Sequence, residues 1–243
     1  MEKNLTFATQ SAKPMVKKQD QTEERIVAVE SALTRTEHFI EENQRMLLII
    51  IGAIALVVLG YFAFQRYYLA PREQEAAAQM FMAEKYFEKD SLALALNGDG
   101  NYPGFLAIID DYGMTRAGNL AHYYAGICYL RQGQFEDALD HLKSFDKDDL
   151  LVSAMAVNAI GDCHMELNDP EKAAGEYIKA ADMNPNDLTS PAFLLKAGWA
   201  YEVAGDWASA VKMYERIRVE FPKSQESRDI EKYIARANGK MAS

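Results

Sequence analysis

Apolar and polar positions are segregated along this chain before any residue chemistry is considered. Residues 46–64, MLLIIIGAIALVVLGYFAF, are uncharged and almost wholly apolar, closed off by Arg45 on one side and Gln65-Arg66 on the other. At a rise of about 1.5 Å per residue this run matches the roughly 30 Å hydrocarbon core of a bilayer. Tyr61, Tyr67 and Tyr68 cluster at its far end, where amphipathic rings favour the membrane–water boundary. The pattern predicts a transmembrane helix over 46–66. A buried core helix would carry a polar stripe, and this run has none. A cleavable signal peptide fits poorly, because its apolar region is usually only about 7–15 residues long. The segment is expected to remain as an anchor.

Ahead of the span, periodicity changes twice. Residues 1–19 lack a repeat and are rich in Lys, Gln, Thr and Ser, which predicts a disordered tail. Within 20–45, Ile26, Val29, Leu33, Thr36 and Ile40 recur at alternating intervals of three and four. That spacing makes an amphipathic helical seam. Two readings stay open for it: a surface helix leading into the membrane, or a face packed on a partner helix. Two heptads do not specify a coiled coil by themselves.

Beyond the span the chain repeats itself. Ala125-Gly126-Ile127-Cys128-Tyr129 is followed by Ile160-Gly161-Asp162-Cys163-His164 and by Ala197-Gly198-Trp199-Ala200-Tyr201. Turn elements follow each glycine: Gly133-Gln134-Phe135, Asn168-Asp169-Pro170 and Gly205-Asp206-Trp207. Small residues stand twelve positions on (Ala138, Ala173, Ala210) and large ones sixteen positions on (Leu142, Tyr177, Tyr214). Pro185 and Pro222 close the second and third copies, whereas the first ends in Asp148-Asp149-Leu150 without a proline. The sequence here resembles the tetratricopeptide repeat family, whose period is about 34 residues. The small residues are expected to let paired helices approach closely, with the large ones filling the gaps between hairpins.

The fold class expected is all-α, a single transmembrane helix followed by a tetratricopeptide-type solenoid of helical hairpins. No part of 67–243 shows sustained strand alternation. Asp169-Pro170 and Ser190-Pro191 each place a capping oxygen before a proline at the first helical position. Residues 67–118 read as a helix over 71–96, a break at Asn97-Gly98-Asp99-Gly100 and a short helix over 103–112, together a degenerate hairpin. Three repeats occupy 119–223. Ile230, Tyr233 and Ile234 predict a capping helix over 224–238 within a terminal segment 224–243, as solenoids require for solubility.

Charge changes the picture of partners. The net charge of −10 falls almost entirely on 67–243, with 28 acids against 18 bases, while residues 1–45 hold eight acids and seven bases. An acidic domain repels nucleic acid, so no nucleic-acid partner is expected. Basic residues near the two ends of the span balance, Arg35 and Arg45 against Arg66 and Arg72, so the positive-inside rule leaves orientation nearly undecided, with a weak lean towards a cytoplasmic amino terminus. With 49% hydrophobic residues the chain has material for one sizeable core.

Catalytic constellations are scarce. Cys128, Cys163 and His164 are the sharpest metal-like set, yet both cysteines stand two residues after the alignment glycine, where the third copy has Ala200. Packing is the simpler reading. Gly98-Asp99-Gly100 lacks the lysine and strand of a phosphate loop. The expectation is no enzyme activity, no cofactor, no metal and no small-molecule substrate.

A protein-binding groove is expected instead. The family's pattern points to the first helix of each pair, with Leu120, Tyr123, Ile127 and Leu130 in the first repeat, Met155, Asn158, Asp162 and Met165 in the second, and Leu195, Trp199 and Glu202 in the third. Methionine repacks easily and aromatic rings supply contact area, which suits varied apolar segments. The groove is either open or filled by helix 71–96 or the capping helix. Only Asn158 and Arg131 fit the basic clamp that holds acidic chaperone tails in some members of the family.

An amino-terminal helix, one membrane span and an acidic tetratricopeptide domain together resemble the YfgM-like proteins of bacterial inner membranes, over about residues 20–238. The resemblance implies an amino terminus in the cytoplasm and a repeat domain in the periplasm. It further implies protein partners: subunits of the Sec translocon, a membrane-anchored chaperone and unfolded secretory clients. The alternative is an inner-membrane scaffold with one dedicated envelope partner.

Overall fold

The computed structural model describes residues 41–146 and 150–242. The predicted seam of Ile26, Val29, Leu33 and Ile40 lies outside the described residues. The chain divides into two units, Met1–Phe64 and Gln65–Ser243. In the first, helix α1 covers Gln44–Phe64 and buries none of its residues. It lies within a helical stretch long and apolar enough to cross a membrane, and is a candidate span.

The second unit is helical throughout, and no strand occurs among the described residues. A π-helical turn, Gln65–Leu69, precedes α2 (Ala70–Glu88), α3 (Leu92–Asn97) and α4 (Phe105–Tyr112). Three hairpins follow: α5 (Arg116–Arg131) with α6 (Phe135–Ser144), α7 (Leu150–Glu166) with α8 (Pro170–Met183), and α9 (Ser190–Ala204) with α10 (Trp207–Glu220). A 3-10 turn, Glu226–Arg228, leads to α11 (Ile230–Met241). Architecture and class match the sequence expectation of a helical-hairpin solenoid.

The alignment glycines explain how each hairpin closes. A Cβ on Gly126 would fall inside 3.0 Å of Leu142, and one on Gly161 or Gly198 would fall inside 3.0 Å of the Tyr177 or Tyr214 ring. Ala138, Ala173 and Ala210 are wholly buried beside them. The residue sixteen positions on therefore closes its own hairpin, and it also packs among residues of the following element: Leu142 with Ile160 and Cys163, Tyr177 with Ala197 and Ala200, Tyr214 with Ile230 and Ile234. A glycine opposite a large ring brings helix axes together without a void.

Turns within the hairpins share one conformation. Gly133, Asn168 and Gly205 have φ of 77°, 59° and 79°, and each donates its N–H to the carbonyl three residues back. The next residue bonds five back: Gln134 to Tyr129, Asp169 to His164, Asp206 to Tyr201. This pair of bonds satisfies the orphan carbonyls at a helix end. Asp169 and Asp206 then cap the second helix through Lys172 N and Ser209 N, whereas Gln134 makes no such bond.

Two local expectations need correction. Helix 71–96 is broken at Lys89–Ser91, where Asp90 takes φ 57°, a conformation that Asp tolerates better than most side chains. Ser190 is not a cap: it is the first residue of α9, buried, and its hydroxyl donates to the Ala181 carbonyl while accepting from Asn186 N. Terminal elements seal the core. From α2, Glu73 accepts from Arg116 N and Ala117 N, and so caps α5, and α11 buries Ile230, Ile234 and Ala237 in the cluster of α9 and α10.

Candidate protein-binding face

On each first helix, the positions six and three before the alignment glycine and one and four after it share one face, because spacings of three and four keep side chains aligned. In the first repeat these are Leu120, Tyr123, Ile127 and Leu130. All four are half-buried and pack on the cluster that holds Leu139, Leu142, Ile160 and Cys163. Tyr123 also lies 5.9 Å from the Phe145 ring, and burial pushes its hydroxyl pKa up. These residues form the seam between the first and second repeats.

The middle of the face is polar and ordered. Lys196 Nζ lies 2.6 Å from Asp162 Oδ1 and 3.0 Å from Asn158 Oδ1, and sits 5.0 Å from the centre of the Tyr177 ring. The Tyr177 hydroxyl donates to Asp162 Oδ1 at 2.6 Å, and burial followed by that bond raises its pKa. The third repeat repeats the arrangement with other residues. Glu202 accepts from the Tyr214 hydroxyl at 2.9 Å and pairs with Arg236 at 2.7 Å. Tyr233 lies 6.2 Å from Trp199. The capping helix thus covers part of the third repeat's face.

Two apolar positions stay open. Met155 on α7 is 43% exposed and Trp199 on α9 is 41% exposed, while Met165 and Leu195 are half-buried against their clusters. Lys196 and Arg236 are the site residues that the repeat pattern misses. Lys196 occupies the position two before the glycine, where the other copies have Tyr124 and Ala159, so register carries no signal. The available signal is charge: a base in one repeat facing acids in the one before.

The cysteines are packing residues of different clusters. Burial pushes both thiols up to about 12, which keeps them protonated and unreactive at neutral pH. No group of three or more His, Cys, Asp or Glu able to hold a metal ion occurs among the described residues. His122 and His141 form a pair, with Nδ1 atoms 3.2 Å apart, and the Tyr129 ring stacks on His141 at 5.3 Å. Burial lowers both pKa values; for His122 the neighbouring imidazole lowers it further, and for His141 Asp137 and Asp140 pull the other way.

A solenoid of paired helices whose first helices present a mixed apolar and polar face belongs to the protein-binding class. Residues 126–188 and 192–224 each match a tetratricopeptide repeat model, so the hairpins of that stretch are similar to tetratricopeptide repeats. No curated protein matches it.

Proposed function

We propose that residues 46–66 anchor this protein in a bacterial inner membrane with its repeat domain in the periplasm. There the first-helix face holds extended segments of secretory proteins leaving the Sec translocon, beside translocon subunits and a membrane-anchored chaperone. The observation that supports binding of varied segments is the exposure of Met155 and Trp199 on one face, since adaptable and aromatic side chains accept many apolar partners. The architectural resemblance supplies the translocon and the orientation.

A second reading draws on a different observation. The fixed cluster of Asn158, Asp162, Lys196 and Tyr177 is preorganised, and a preorganised polar centre selects one matching partner. On that reading the protein is an inner-membrane assembly scaffold for a single envelope protein. Affinity purification of the full-length protein from gently solubilised membranes, followed by mass spectrometry, separates the two. Translocon subunits with a broad set of secreted proteins support the first reading. One stoichiometric envelope partner overturns it in favour of the second.

A further inference from the structure

Three ion pairs run along the first-helix face in one sense. Arg131, ending α5, reaches back to Asp90 after α2 at 3.4 Å. Lys196 of α9 reaches back to Asp162 of α7 at 2.6 Å, and Arg236 of α11 to Glu202 of α9 at 2.7 Å. The first ties α5 to the turn after α2, and the other two tie a helix to the first helix before it. Among the described residues no such bond runs from α7 back to α5, where α7 presents Met155, Asn158, Asp162 and Met165 and no cation.

A cavity of about 540 Å³ opens at this gap, walled by Leu130, Phe135, Met165 and Tyr177, with Asp162, Glu166 and Arg131 supplying its charge. Most of that charge is already engaged. Asp162 holds Lys196 and the Tyr177 hydroxyl, and Arg131 leans over the Phe87 ring at 4.8 Å and towards Asp90. Glu166 is exposed and makes no ion pair among the described residues. It is also the last residue of α7, where the helix dipole favours a cation and disfavours a carboxylate. An incoming cation would offset that.

We propose that this cavity receives a lysine or arginine side chain of the bound segment, its methylenes on Leu130, Phe135 and Met165 and its cation on Glu166. The side chain supplies the rung that α7 lacks. Long basic side chains suit such a site because their stems bury while their heads reach a carboxylate. The excess of acids over bases in 67–243, 28 against 18, favours approach of a basic segment and disfavours a second copy of the same domain. This inference rests on the reading of the first-helix face as a surface for extended segments.

The test uses full-length protein in nanodiscs of zwitterionic lipid and fluorescence anisotropy of short labelled peptides with one apolar host sequence. Their central residue is Lys, Arg, norleucine or Glu. The Lys and Arg peptides are expected to bind roughly tenfold tighter than the norleucine peptide, with the Glu peptide weakest. Glu166→Gln should reduce the advantage to about twofold or less and leave the norleucine peptide unchanged. Equal binding of Lys and norleucine, or an advantage that survives Glu166→Gln, overturns the cation site while the binding face stands. Failure of every peptide to bind overturns both.

Discussion

Lys196 Nζ sits 2.6 Å from Asp162 Oδ1, so a residue of the third repeat neutralises a carboxylate of the second across the face that both repeats share. The two side chains are 32% and 31% exposed, which places the pair between a surface salt bridge and a buried one. Removing the cation leaves Asp162 with the Tyr177 hydroxyl and Asn158 alone.

Lys196→Met is therefore expected to destabilise the domain by about 1 kcal/mol, seen as a lower urea midpoint. The difference should shrink in high salt, because partial exposure permits screening. An unchanged midpoint at low salt contradicts the assignment.

Gly161→Ala and Gly198→Ala test the hairpin closure through the sign of the effect. In an open helical position alanine stabilises by up to about 1 kcal/mol. Here the added methyl meets a buried tyrosine ring, and overpacking costs typically about 1–3 kcal/mol. Both variants should lose stability on denaturant titration, and Gly161→Ala should cost less in a Tyr177→Val background than in the wild type. Stabilisation by either alanine argues against the packing described.

Hairpin turns give a gain rather than a loss. Gln134 stands where Asp169 and Asp206 cap their helices, and its side chain makes no capping bond. Gln134→Asp should raise stability by about 1 kcal/mol, and Asp206→Ala should lower it by a similar amount. Thermal melts of the two variants check the pair.

The His122–His141 contact fixes a pH dependence. Both folded pKa values lie below the ordinary histidine value, so the unfolded chain takes up protons first as pH falls. The stability these groups contribute is complete above about pH 6.5 and is lost as pH drops through the lowered folded values. Urea midpoints measured between neutral and mildly acidic pH should fall more steeply for the wild type than for His122→Gln with His141→Gln.

Much of the fold was legible because the repeat is a packing code. Glycine, small residue and large residue recur at fixed intervals, since each hairpin closes on the same contact, and one sequence contains three copies to compare. Elements outside that code were harder to read. The break at Asp90 has neither glycine nor proline to mark it, only an aspartate that tolerates a left-handed backbone. Ser190 stands before a proline like a cap, yet its hydroxyl is drawn to the Ala181 carbonyl by tertiary packing. On the candidate face, side chains facing outward are free to differ between repeats. Lys196 therefore has no counterpart, and Leu120, Tyr123, Ile127 and Leu130 could be placed on a face without showing that the next hairpin half-buries them.

The central claim is that the first-helix face binds an extended protein segment. It is tested most directly by photocrosslinking in intact cells from probes placed at Met155 and Trp199, with Lys179 and Lys212 on the second helices as controls. The account predicts crosslinks to other proteins from the first pair and few from the second. Crosslinks confined to this chain, or equally strong from all four positions, would contradict it.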